Sequence, residues 1–262
     1  MVLRAMLLVF LGIVACSTGA HSAARDASDG QARRDAGRRD AGAADGGKVL
    51  SILAFSKTKA FRHDSIAPAT AALSEIAAKH NAMFESTEDA EVLVTKLPNA
   101  SVVVFLMTTG DVLDDTQQTA LERYMRQGGG FVGVHSSADT EHDWPFYRDL
   151  NGAWFADHPP TQPAKLIVED NALMAFLPRE WTRTDEWYNF KDNPRTRGVT
   201  VLLRLDESSY RGGTHGDDHP IAWTHSVGEG RAFYTGLGHN EESWQEPLLL
   251  QHVEQGLLWA AN

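Results

Sequence analysis

Apolar and polar positions along this chain switch between two periods, and the switching predicts strands alternating with helices. Lys48 to Phe55 is a short aliphatic run of the kind found in buried strands. Ser65 to His80 changes period, with Ile66, Ala69, Leu73, Ile76 and Ala77 on one helical face and Ser65 or Asp64 as cap. Ala82 to Glu85 predicts a second strand, and Ser101 to Met107 a third, rich in Val, Phe and Leu and stopped by Thr-Thr-Gly-Asp. Asp114 to Gln127 is amphipathic, with Leu121, Tyr124 and Met125 inward, and Gly128 to Gly130 ends it. Phe131 to Val134 is the next strand. Strands and helices in this order imply a parallel sheet with right-handed crossovers.

Beyond His135 the pattern loosens. All seven tryptophans lie between Trp144 and Trp259, with many loops among them. Val199 to Leu205 predicts a strand. Ile221 to His225 and Arg231 to Thr235 flank Val227-Gly228-Glu229-Gly230, a hairpin with a glycine turn. Pro247 to Ala260 closes the chain as an amphipathic helix, and no repeat appears in the folded part.

The first 47 residues follow different rules. Arg4 precedes an apolar run from Ala5 to Val14, too short to span a bilayer and laid out like a secretory signal. It ends in Ile13-Val14-Ala15-Cys16, which resembles the bacterial lipobox, whose cysteine becomes a lipidated first residue. Residues 1–16 are therefore expected to be a lipoprotein signal peptide. Residues 17–47 read as a disordered Ala/Gly/Asp/Arg tether in which Arg33-Arg34-Asp35-Ala36-Gly37 repeats at once as Arg38-Arg39-Asp40-Ala41-Gly42. Residues 48–262 form the folded domain. The expectation is an exported protein, lipid-anchored to the bacterial envelope (the outer membrane in a Gram-negative host), with its domain facing periplasm or exterior. The membrane is met through the anchor only.

Composition narrows the chemistry. Cys16 is the single cysteine, so the folded part has no disulfide, no thiolate zinc site and no cysteine nucleophile. A formal net charge of −11 argues against nucleic acid as partner and suits a neutral ligand, a cationic ligand or a metal ion. Two glycine-bearing strand ends each finish on a histidine: Gly133-Val134-His135-Ser136 and Gly236-Leu237-Gly238-His239. The carboxyl ends of parallel strands are where open α/β sheets bind ligands. Both histidines should emerge at that edge, and His63, on the loop after the first strand, can reach the same pocket or simply cap the following helix.

Several motifs, in order, resemble those of the ThuA-like (trehalose utilisation) family. They are Thr58-Lys59-Ala60-Phe61-Arg62-His63-Asp64-Ser65-Ile66, Gly133-Val134-His135-Ser136, Asp185-Glu186-Trp187-Tyr188, Asp218-His219-Pro220-Ile221-Ala222-Trp223 and Gly236-Leu237-Gly238-His239. The resemblance implies an α/β fold of the class I glutamine amidotransferase-like superfamily, a flavodoxin-like three-layer sandwich with a mostly parallel sheet. It also implies a place in carbohydrate metabolism, with a disaccharide or oxidised sugar as small-molecule partner. In amidotransferases a cysteine occupies the elbow, where this chain has His135. Their catalytic histidine and glutamate lie in a Gly-x-x-His-x-Glu turn, which His239 and Glu241 match. Thiol-based glutamine hydrolysis is excluded, because its nucleophile is absent.

The expected catalytic residues are His135, His239, Glu186 and Glu241. The expected substrate-binding residues are His63, Asp185, Trp187, Tyr188, His158 and His219. Aromatic faces beside carboxylates suit sugar rings, although Trp187 and Tyr188 also read as core anchors, and His158 and His219 each precede a proline that fixes an extended loop. His135, His239 and His63 are candidate ligands for a divalent metal (Zn, Mn, Fe or Ni); without metal the same groups form an acid/base pair. Two functions fit: a sugar-acting hydrolase, lyase or isomerase, or a non-catalytic carbohydrate-binding or oligomerisation module, with a homo-oligomer as an option.

Overall fold

Five short runs of aliphatic and aromatic residues set the centre of the molecule, which a computed structural model describes over residues 49–262. The expectations for the signal peptide, Cys16 and the tether concern residues outside that range. Strands β1 (Ser51–Phe55), β2 (Met83–Thr87), β3 (Val102–Leu106) and β4 (Gly130–Val134) alternate with helices α1 (Ile66–Lys79), α2 (Ala90–Lys96) and α3 (Asp115–Arg126). Then come α4 (Pro145–Asn151), β5 (Phe155–Asp157), β6 (Gln162–Val168), β7 (Glu180–Asp185), β8 (Asn189–Phe190) and β9 (Thr200–Asp206). The hairpin β10 (His219–Val227) and β11 (Gly230–Thr235) leads into the closing helix α5 (Pro247–Ala261).

Nine strands form one sheet in the order β2-β1-β3-β4-β11-β10-β9-β6-β7. From β2 to β11 every pairing is parallel, in the strand sequence of a flavodoxin-like sheet. From β11 onward every pairing is antiparallel. Alternation along the buried strands makes the layers. Ile52, Ala54, Val104 and Val132 face α1 and α5, while Leu53, Phe55, Phe105 and Phe131 face α2, α3 and α4. The result is the expected three-layer α/β sandwich.

The register places the site. Phe55 lies opposite Phe105, Leu106 opposite Val134, and Val134 opposite Thr235. The loops that follow β1, β3, β4 and β11 therefore leave from one edge, as the two histidine turns led us to expect.

Some elements differ from the sequence reading. Ser65 holds the N-cap position of α1, but its hydroxyl donates to Met107 Sδ at 3.1 Å instead of capping. Helix α3 begins as expected, with Asp114 and Gln117 exchanging side-chain and backbone bonds in a capping box. Helix α2 and strands β6 and β7 were not anticipated. The inward positions of β7 are Trp181, Arg183 and Asp185, so its period of two is invisible when only apolar residues are counted.

Candidate functional site

His135 is the first residue past β4 and takes a left-handed backbone, φ 49°. Side chains rarely adopt that conformation, and where they do the strain is usually tied to function. Gly133 makes the elbow, since a Cβ there would meet Asn151 Oδ1 at 2.4 Å and Ser137 Oγ at 2.6 Å. The His135 ring is fully buried, and its Nδ1–H donates to the Gly236 carbonyl at 2.9 Å. That bond makes Nδ1 the donor toward Gly236 and turns Nε2 into the pocket, 3.3 Å from Glu186 Oε2.

His239 arrives from the other turn, steered by Gly238 at φ 106°. Its Nδ1 lies 3.3 Å from the same Glu186 oxygen. His63 comes from the loop after β1, with its ring 4.8 Å from His135 and 5.2 Å from His239 between centroids. Its Nδ1 shares a 3.2 Å hydrogen bond with Ser136 Oγ. One donor atom from each of His63, His135, Glu186 and His239 falls within 4.8 Å of all the others.

The electrostatics follow from burial and proximity. Burial, then the charges of His135 and His239, push the His63 imidazole down to about 3, so it is a neutral lone-pair donor at ordinary pH. Burial opposes ionisation of Glu186, but the imidazoles of His135 and His239 outweigh it and hold the carboxyl below its usual range. Glu186 in turn raises His239. The Nε2 of His135 and the Nδ1 of His239 are shielded from solvent and lack a properly aligned hydrogen-bond partner.

Three imidazoles and one carboxylate make a borderline donor set, suited to Zn, Mn, Fe or Ni. The residues fit a divalent cation: two buried nitrogens face Glu186 at 3.3 Å without an aligned hydrogen bond, and the His135–Gly236 bond is the outer support that a metal-bound histidine requires.

The ThuA family pattern, described as trehalose utilisation, matches residues 51–260. The chain belongs to the ThuA family. That membership ties it to carbohydrate utilisation. A ThuA-like protein from Bacteroides uniformis ATCC 8492 is 23% identical, with 80% of this chain and 91% of that one covered at a TM-score of 0.67. Another from Parabacteroides merdae ATCC 43184 is 18% identical, covers 82% and 91%, and gives 0.68. A β-galactosidase from Bacillus circulans sp. alkalophilus is similar at 13% identity and a TM-score of 0.50, over 82% of this chain and 30% of that one. These likenesses concern the fold, and no match is found among curated proteins.

Within this ThuA fold the sequence-derived residues separate into three groups. His63, His135, His239 and Glu186 converge, and His158 joins them, its Nδ1 3.0 Å from Glu186 Oε1. Tyr188 lies against His135, ring centroids 4.2 Å apart. A second group supports the first from behind. Asp185 accepts the backbone N–H groups of Gly238 at 2.9 Å and His239 at 3.0 Å, and it meets Arg183 at 3.3 Å. His219 is buried between Glu207 Oε1 at 2.7 Å and the Tyr188 carbonyl at 2.9 Å, so it holds the backbone next to the site and does not enter it.

The third group lies apart. Trp187 is wholly buried, its Nε1–H donating to the Gln162 carbonyl at 2.8 Å; it is a core anchor and not a sugar platform. Glu241 is exposed at the start of the short turn Glu241–Gln245, and no hydrogen bond or ion pair among the described residues joins it to His239. The carboxylate facing His239 is Glu186, which comes from a different segment. Sequence reasoning missed Phe61, the exposed ring beside His63, although Phe61 stands inside a quoted motif.

Proposed function

We propose that this ThuA member is an enzyme acting on a disaccharide or an oxidised sugar at the His63, His135, Glu186 and His239 cluster, with a divalent cation held by those four side chains. The carrying observation is the convergence of four donors within 4.8 Å, two of them buried ring nitrogens without an aligned hydrogen bond. When bound, such a cation supplies Lewis acidity to a sugar carbonyl or lowers the pKa of a water. The chain's own residues do the rest. The Gly236 carbonyl orients His135, and burial keeps His63 a neutral donor. His158, with 39% of its side chain in solvent, is oriented by Glu186 and moves a proton between substrate and bulk water. Tyr188 and Phe155, with ring centroids 4.4 Å apart, give the pocket an apolar wall.

Elemental analysis of protein purified without chelators should show about one divalent metal per chain. His135→Ala and His239→Ala should lose that metal, and turnover of the responsive sugar should fall by about 100-fold or more, with the melting curve nearly unchanged. Metal-free wild-type protein, or activity that survives both substitutions, removes this reading. The likeness to one part of a β-galactosidase favours a second reading, a non-catalytic carbohydrate-binding or oligomerisation module. Sugar binding by calorimetry without product after long incubation selects it.

We also propose that the protein is exported and lipid-anchored at Cys16. No helix among the described residues is long and apolar enough to cross a membrane, so attachment would rest on the acyl chains. The full chain should enter the detergent phase of a Triton X-114 extraction and Cys16→Ala the aqueous phase. Equal partitioning of the two refutes the anchor.

A further inference from the structure

Three large apolar side chains stand out in solvent among the described residues: Val49, Phe61 and Met83. Val49 precedes β1 and Met83 opens β2, so both lie at the amino edge of the sheet, away from the histidines. Phe61 is at the carboxyl edge, with 65% of its surface exposed. Its ring lies 4.8 Å from that of His63, edge to face. Rings continue inward from there, His63 to His135 at 4.8 Å and His135 to Tyr188 at 4.2 Å. Phe61 is the exposed end of that run.

The segment carrying the phenyl group is tied down. Lys59 N–H donates to the Thr109 carbonyl at 2.8 Å and Ala60 N–H to Thr109 Oγ1 at 3.3 Å. The same hydroxyl donates to the Phe61 carbonyl at 2.7 Å, and Arg62 is paired with Glu88 at 2.6 Å. The backbone around the ring is thus fixed on both sides. A phenyl held in water contributes nothing to folding, because apolar surface stabilises only when it is removed from water. A sugar ring supplies the matching surface, a patch of C–H bonds framed by hydroxyls, and aromatic faces stack on such patches.

We propose that Phe61 is the stacking platform for the second ring of a disaccharide whose first ring reaches the histidine cluster. This rests on the sugar-acting reading above and narrows the substrate to two-ring sugars or glycosides over free monosaccharides. The test is calorimetric titration of the full chain, as wild type, Phe61→Ala and Phe61→Trp, with trehalose as the two-ring probe and glucose as the one-ring probe. Wild type should prefer trehalose. Phe61→Ala should bind trehalose about ten-fold more weakly and glucose as before, and Phe61→Trp should restore the preference. Equal effects on both sugars, or none, overturn the platform, as does a Phe61→Ala change in sedimentation that identifies the ring as a self-association contact. If His135→Ala loses trehalose while Phe61→Ala keeps it, the platform alone fails. If wild type binds neither sugar, the sugar-acting reading falls with it.

Discussion

Asp185 shows how a residue outside the pocket can decide what the pocket does. Its carboxylate collects the backbone N–H groups of Gly238, His239 and Glu186 and faces the nearly buried Arg183. It fixes two of the four converging donors through their main chains. Asp185→Asn replaces an acceptor oxygen with an N–H donor facing another donor and leaves Arg183 with the neutral Ser243 Oγ at 2.7 Å and the partly exposed Glu246 at 3.3 Å. We expect a loss of about 2–4 kcal/mol in urea unfolding, because a buried charge and a buried N–H each lose a partner. Affinity for the divalent cation proposed at this cluster should fall as well, as His239 drifts from Glu186. Unchanged unfolding midpoint and unchanged affinity would show that the turn holds its shape without this carboxylate.

At the scale of elements, the sheet has a half that the sequence announces and a half that it conceals. Strands β1, β3 and β4 are buried on both faces, so their residues form unbroken aliphatic runs. Their loops carry His63 and His135, and the β11 turn carries His239, so the three imidazoles were legible together with the edge they share. The antiparallel extension is different. Strand β6 contains Pro163 and Lys165 among its aliphatic residues, and β7 turns Arg183 and Asp185 inward. Apolar periodicity cannot report a strand whose buried side carries charges. Glu186 leaves the end of β7 and His158 follows β5, so the carboxylate that faces the histidines comes from the concealed half. The motif spacing around His239 pointed to Glu241 and the motif after Asp185 to Glu186; local spacing cannot see which of the two carboxylates folding brings to His239. Of the two readings open for Trp187 the core anchor holds: its indole N–H finds the Gln162 carbonyl, a match set by the pairing of β6 with β7.

The whole molecule also carries a pH dependence that the site does not explain. His252 on α5 is fully buried between Thr235 Oγ1 of β11 and Met174 Sδ, each at 3.0 Å. Burial, and secondarily the charge of Arg183, push its imidazole down to about 3 from an ordinary value of 6.5. The unfolded chain protonates this side chain near 6.5 while the folded chain does not until about 3, so between those values the unfolded state binds more protons. Stability is therefore unaffected by His252 above pH 6.5 and falls as the pH drops below it, approaching a slope of about 1.4 kcal/mol per unit. By pH 5 the accumulated loss from this group is about 2 kcal/mol. His252→Leu has no proton to take up. Its absolute stability will change with packing, but its loss between pH 7.5 and pH 5 should be smaller than that of wild type by about that amount. Urea midpoints at the two pH values, compared as differences within each protein, make the measurement independent of the packing change. Equal differences in the two proteins would mean that solvent reaches His252 and that the joint between α5 and the end of β11 opens in the native state, beneath the turn that presents His239.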